Sequence, residues 1–493
     1  MSRARTFFKW SLISIALVAL TWLAVVIWWQ TTQRVVTLRD TLVYLLAFPL
    51  TVLMTVGLLK WWTFRRKHRK TSSSADTSTI DGASTVASEP APKLPVLATW
   101  ALTSFAPNAE AFVEVLKERQ IRPLPDALLT DDQGFPILAS RITHLDIETI
   151  RQQVEDTVAE RKIDNVPDPE NWREAFLRTL GLLQNLLDQV LDELPLTLDL
   201  PARSQPTREE GAFTLRGNAP LTSAADDERL RLKIKLLVPA HFRPLEQRLT
   251  LAYLLERTAD IPVHKEHIQV DVVPATDDAT ALALMDQFNT DAGRGRHAHA
   301  LLVLACDSAL CDTIAQDWQA EGRLFSPRRP NGLMMGEGAF GVLCANEKAV
   351  QSVATAPACR LTRVSRAQRD TSADTQGKPS YTSLAEVIKN ALLAANLPAE
   401  SIGSVACDAD HRTNRTLECM GAMMDQIPHL DAVQNRLAAG EACGHIGAAS
   451  VAAALVAAVM QSKASQHPVL LFNVSHATDR AAAILIPPDT AAA

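Results

Sequence analysis

Two histidines in the C-terminal third stand where an imidazole can do chemistry. His445 lies in Gly444-His445-Ile446-Gly447-Ala448-Ala449-Ser450, a glycine-containing loop that feeds an alanine-rich segment. His411 follows a short apolar run in Ala409-Asp410-His411-Arg412-Thr413. An imidazole so placed can exchange a proton or donate a hydrogen bond to a developing oxyanion, and it can equally be bonded in place with no further role. Thiols are the other candidates. The first of the 7 cysteines is Cys306, and none forms a paired C-x-x-C spacing. That pattern supports neither a zinc site nor a disulfide framework and fits small buried residues in a reducing compartment. Cys443, close to His445, could be imagined as a nucleophile. The acids Asp271, Asp277, Asp278 and Asp286 lack ligand spacing and suit helix starts, so no metal is expected, and no cofactor is called for.

These residues need elements to hold them. Strand-like runs at 230–238, 268–273 and 298–305 alternate with helix-like runs at 244–257, 278–289 and 309–321, and the pattern resumes through 340–345, 359–366, 384–395, 402–408, 448–462, 469–474 and 481–487. Such alternation predicts α/β layers around a largely buried sheet. Helical periodicity also marks 108–120, 146–162 and 169–194, the last with Leu177, Leu180, Leu183, Leu187, Val190 and Leu191 on one side. Residues 203–227 are polar with scattered Pro and Gly and predict a surface excursion. No internal sequence repeat is visible.

The loops around these elements resemble those of the β-ketoacyl synthases, the condensing enzymes of the thiolase superfamily. Asn331-Gly332-Leu333-Met334-Met335-Gly336-Glu337-Gly338-Ala339 is similar to the family's D-G-F-V-x-G-E-G-A, and Glu441-Ala442-Cys443-Gly444-His445-Ile446-Gly447-Ala448-Ala449 to its K-S-x-x-G-H-x-x-G-A-A. Leu301 to Ser308 resembles a family strand and turn, 405–413 stands in place of the H-G-T-x-T loop with Glu418 like its downstream acid, and Asn473-Val474-Ser475-His476 stands in place of N-S-F-G. The resemblance implies a thiolase-like layered α/β/α/β/α domain. It also implies that His445, with His411, descends from the pair that stabilises an enolate, and that Glu337 is a buried, bonded acid. The nucleophilic cysteine should stand at the strand-to-helix junction Val272-Val273-Pro274-Ala275-Thr276-Asp277-Asp278, which offers no thiol. Gly440 replaces the family lysine, and Cys443 comes from the wrong half of the fold. The expectation is therefore a pseudoenzyme with no intact catalytic residue, its vestigial acyl pocket marked by Thr276, Gly336, Glu337, Gly338, Gly444, Gly447 and Asn473.

Two apolar runs, 11–29 and 41–59, carry no charged residue and each matches the length of a bilayer-spanning helix. Arg3, Arg5 and Lys9 precede the first, and Arg65, Arg66, Lys67, Arg69 and Lys70 follow the second, so both termini are expected in the cytoplasm of a bacterial inner-membrane protein. The predicted organisation is a cytoplasmic N-terminus at 1–10, a transmembrane hairpin at 11–62, a basic and then disordered linker at 63–93, and a cytoplasmic thiolase-like domain at 94–493. The formal charge of −6 gives no reason to expect nucleic-acid binding. The expected role is a structural or adaptor component of a membrane-associated assembly such as secretion machinery, with a homodimer implied by the family. The alternative is a membrane-tethered acyl-thioester decarboxylase or acyltransferase, or an acyl-carrier binding module, retaining His411 and His445.

Overall fold

Successive side chains on a strand point to opposite faces, so strands covered on both sides read as unbroken apolar runs. β1 (Leu94–Leu102) is such a run and occupies the middle of the sheet. The computed structural model describes residues 92–161, 173–200, 230–275, 279–292 and 297–488, apart from 354, 376 and 378. The expected transmembrane hairpin, the linker and the polar excursion at 203–227 lie outside the described residues. Those that are described belong to one unit, Glu89–Ala493.

After β1 come helix α1 (Ala109–Glu118), a hairpin of β2 (Leu124–Thr130) and β3 (Pro136–Ser140), and helices α2 (Ile147–Glu160) and α3 (Glu174–Thr197). The first half continues with β4 (Arg231–Pro239), α4 (Pro244–Thr258), β5 (Ile268–Ala275), α5 (Thr280–Ala292), β6 (His299–Ser308), α6 (Asp312–Ala320), β7 (Met335–Ala345) and the short α7 (Glu347–Ser352). The second half contains β8 (Cys359–Leu361), β9 (Ser365–Gln368), α8 (Thr382–Ala395), β10 (Ser404–Cys407), α9 (Thr413–Gln426), β11 (Arg436–Ala438), α10 (Ala439–Cys443), α11 (Ser450–Ser465), β12 (Val469–Phe472) and β13 (Asp479–Ile486).

The strand order β11-β10-β12-β13-β8-β1-β7-β6-β4-β5 contains one pattern twice. Within the first half β4 runs parallel to β5 and β6, β7 is antiparallel to β6, and β1 is antiparallel to β7. The second half repeats this: β10 runs parallel to β11 and β12, β13 is antiparallel to β12, and β8 is antiparallel to β13. Antiparallel pairing of β1 with β8 joins the halves. The duplication absent from the residue types is thus plain in the topology.

Strand alternation sets the layers. Phe340, Val342 and Cys344 of β7, with Ala481, Ala483 and Leu485 of β13, face a shared central core that contains α11. Ala339, Leu343 and Ala345 face the other way, into a core with Leu177, Leu180, Leu183 and Leu187 of α3. Ala482 and Ile484 likewise face a third core with Leu384, Ile388 and Leu392 of α8. Helix, sheet, helix, sheet and helix follow in that order. The alanine-rich run forms α11, the central helix, whose Val451 to Val459 are at most 2% exposed. Alanine costs no side-chain entropy on burial and lets sheets approach from both sides. With the turn before it, α11 forms Gly447–Ser465, the one helical segment among the described residues long and apolar enough to cross a membrane, and its burial accounts for that composition.

Several boundaries differ from the sequence reading. β7 begins at Met335 rather than near 340, because the Gly336-Glu337-Gly338 segment is itself strand. The run at 359–366 divides into β8 and β9, which both pair with β13. The β2–β3 hairpin has no counterpart in that reading, since Leu124, Leu128 and Phe135 are exposed and no clean two-residue alternation results.

Candidate active site

Parallel strands β4, β5 and β6 end on one side of the sheet, and the residues that follow them surround a cavity of about 920 Å³. Ligands of open α/β sheets bind outside the carboxyl ends of the strands for this geometric reason. Pro239 ends β4 and Ala240 and His241 follow it, Ala275 closes β5, and Asp307, Ala309 and Cys311 lie where β6 leads into α6. The loop carrying His445, Gly447 and Ala448 closes the cavity from the second half, with His476 beside it.

Backbone contact fixes the position of His445. Its N–H donates to the Met334 carbonyl at 2.8 Å. A Cβ on Gly336 would stand 2.1 Å from the Cys443 carbonyl oxygen, and one on Gly444, whose φ is +70°, would stand 2.8 Å from the Met335 carbonyl. The two glycine loops thus touch backbone to backbone. Gly336→Ala is accordingly expected to lower stability by about 1–3 kcal/mol, and chemical denaturation against the parent chain checks this. Gly447, at φ +41°, leaves room for Asp307: its Cβ would fall 2.2 Å from Oδ2, the atom that accepts the Ala448 N–H at 2.8 Å.

Burial, followed by the Arg412 charge, pulls the pKa of His445 down to about 4, so the imidazole is neutral at pH 7. Its Nδ1 is enclosed without a hydrogen-bond partner. The ring meets the edge of Trp318 at 5.4 Å between centroids, and Arg323 lies 5.5 Å from the Trp318 ring. Burial pushes the Asp307 carboxyl up to about 7. Nδ1 of His476 accepts backbone N–H groups from Thr478 and Asp479. The cavity therefore combines a neutral imidazole, a carboxyl that titrates near neutrality and a polar rim.

The remaining expected residues lie elsewhere. His411 packs against Phe325 at 5.2 Å and is not among the residues lining the cavity. Its loop continues into Arg412, which pairs with Asp410 at 2.8 Å and donates to the Ser475 carbonyl. Glu337 is fully buried and accepts from Arg178, Ser308 and the Ile142 N–H. Gly338 sits beside it on β7, under the Phe340 ring. Asn473 ties β12 to β13 by accepting the Ala481 N–H at 2.5 Å. Thr276 lies outside the described residues. The sequence reading assigned no role to Asp307, Cys311, Trp318 or His241; a strand ending in an acid and leading into a helix was the signal available for the first two.

No protein-family model matches the chain, and no curated protein does. Solved structures do. The ishigamide ketosynthase/chain length factor superposes with a TM-score of 0.51 at 14% identity over 80% of this chain and 99% of its own. The ketosynthase from module 1 of the bacillaene synthase of Bacillus amyloliquefaciens FZB42 gives 0.52 at 13% identity over 81% and 74%. A type II polyketide ketosynthase, AntDE, in complex with its acyl-carrier protein AntF and bound to the hexaketide, gives 0.52 at 10% identity over 81% and 100%. The domain therefore has the mixed α/β, thiolase-like fold of the ketosynthases.

This corrects the expectation of a non-enzyme. The structures that share the fold are those of condensing enzymes, and the site between the strand ends is an open cavity rather than packed side chains. The expectation rested on the missing thiol at 272–278 and on Gly440 in place of the family lysine, two positions that leave the cavity itself in place.

Proposed function

We propose that the chain is a membrane-tethered, ketosynthase-like enzyme that acts on acyl thioesters, and that its cavity decarboxylates a malonyl-type thioester. The observation that carries this reading is the 920 Å³ cavity with a neutral His445 on its wall. In that step the bond between the carboxylate and the α-carbon breaks, CO₂ leaves, and the electron pair forms an enolate that takes a proton from water at carbon. A neutral imidazole N–H aimed at the thioester oxygen stabilises the enolate without first losing a proton.

The carrier protein bound to AntDE makes an acyl-carrier protein the favoured donor. A homodimer fits β5, an edge strand whose Val270, Val272 and Val273 are only half-buried. Tethering rests on the apolar runs at 11–29 and 41–59, with both termini on the cytoplasmic face of a bacterial inner membrane, where the chain would serve a membrane-associated assembly.

The test is CO₂ release from a malonyl thioester by the full chain in detergent. His445→Ala is expected to slow release at least 100-fold, the order of loss when an oxyanion donor is removed, whereas His411→Ala leaves it within a few-fold. An equal loss from both variants, or no thioester bound by the parent chain, would overturn the reading.

A further inference from the structure

A second cavity, of about 580 Å³, opens between the β2–β3 hairpin and the segment that follows α6, and it shares no lining residue with the cavity at His445. Its volume is that of a small-molecule site. Trp318 and Gln319, successive residues of α6, line the first cavity and the second, so the helix separates them. Phe135, Ile137 and Leu138 of the hairpin and Leu324 and Phe325 of the segment give the second cavity apolar walls. Ile137 and Leu324 are buried together in one small core, so this floor is fixed, whereas Phe135 is left 64% exposed. An apolar ligand laid against that ring would remove apolar surface from water.

The turn at 326–329, closed by the Arg329 N–H on the Ser326 carbonyl at 2.8 Å, brings Arg328 and Arg329 into the lining. Arg329 Nη1 donates to the Gln319 carbonyl at 3.3 Å. The Arg328 guanidinium is exposed and takes part in no ion pair or hydrogen bond among the described residues. Asp131 and Asp132 line the cavity from the hairpin tip. Asp131 Oδ1 accepts the N–H groups of Gln133 and Phe135 at 2.9 and 2.8 Å, and neither acid pairs with either arginine.

We propose that this cavity binds a single-chain amphiphile with one negative charge, of the fatty-acid class. The tail lies along Phe135, Ile137, Leu324 and Phe325, and the carboxylate meets Arg328 and Arg329, whose planar donors match it at two points. The two acids at the hairpin tip repel a second negative charge, which favours a carboxylate head over a phosphate. The inference stands apart from the thioester reading, because no residue of the His445 cavity takes part.

The full chain in a non-ionic detergent, at one detergent concentration throughout, is irradiated with a medium-chain fatty acid that carries a diazirine on its tail. A parallel arm uses the corresponding fatty alcohol, and labelled peptides are mapped by mass spectrometry. The acid is expected on the peptides holding 135–138 and 324–329. Arg328→Glu should lower acid labelling there at least about tenfold, the effect of losing a hydrogen bond between charged groups, and leave alcohol labelling within about twofold. Phe135→Ser, at an exposed position, should lower both. Thermal melts like the parent chain's show that the variants are folded. Excess laurate should displace the label and dodecyl phosphate should not. Acid labelling that persists in Arg328→Glu, equal labelling by acid and alcohol in the parent chain, or displacement by the phosphate alone overturns the assignment. Absence of label from both peptides overturns it as well, and leaves the His445 cavity reading untouched.

Discussion

Glu337→Ala is expected to cost about 3–5 kcal/mol of unfolding free energy, the usual penalty for stranding a buried charge. Glu337 is fully buried and Arg178 only 4% exposed. The guanidinium donates to both carboxylate oxygens, Nε to Oε2 at 2.8 Å and Nη2 to Oε1 at 2.5 Å, and Nη2 also donates to the Ile142 carbonyl at 3.0 Å. Ser308 Oγ and the Ile142 N–H complete the set at 2.8 and 2.6 Å. Removing the carboxylate leaves the guanidinium with the Ile142 carbonyl and, at 3.9 Å, the partly exposed Glu174 carboxylate as its remaining partners. Removing both charges need not cost more, because much of the pair's Coulomb gain is offset by desolvation. Arg178→Met in the Glu337→Ala background should therefore recover part of the loss. Urea denaturation of the two single variants and the double variant measures this as a cycle; simple additivity would show that the pair is not coupled.

The pair also explains what the sequence could and could not reveal. Glu337 and Ser308 were each legible within loops that resemble ketosynthase motifs. Their partnership needs the β6–β7 register, which sets Ser308 opposite Glu337. Arg178 gave no signal, because one arginine on a leucine-rich helix reads as a solvated residue until the sheet behind it is known. The central helix was legible from composition alone: a run of alanine, leucine and valine can be buried on every side. The duplicated strand order was not, because β8, β10 and β11 are only three or four residues long and carry almost no periodicity. The site divides in the same way. Gly336, Gly444 and Gly447 stood out because close backbone approach requires glycine. His411 lies in a loop that turns toward Phe325, and Arg412, where the family loop has glycine, was the sign in the sequence that this loop departs from the pattern. Asp307 and Cys311 depend on strands β4, β5 and β6 ending together, a fact of topology.

Asp307 makes the second large effect one of pH. Its carboxyl is 7% exposed, and burial raises its pKa to about 7 from the ordinary value of 3.8. Backbone N–H bonds from Ala448 and Ser308 pull the other way without cancelling this. The folded chain thus holds the Asp307 proton more tightly than the unfolded chain does. That stability is fully present below about pH 4 and is lost as pH rises toward the folded value, amounting to about 4 kcal/mol by linkage. Asp408, raised by burial to about 6, contributes in the same direction, so the total slope is not assignable to one group. The difference between the parent chain and Asp307→Asn is assignable. Asparagine keeps an acceptor for the Ala448 N–H and carries no charge at any pH. Denaturation midpoints of the two should converge below about pH 4 and separate progressively in favour of the variant up to pH 8. A gap independent of pH would mean that Asp307 does not titrate in this window. His445 stays neutral throughout most of that range, so the gap reports Asp307 and the hold it has on the loop that carries the imidazole.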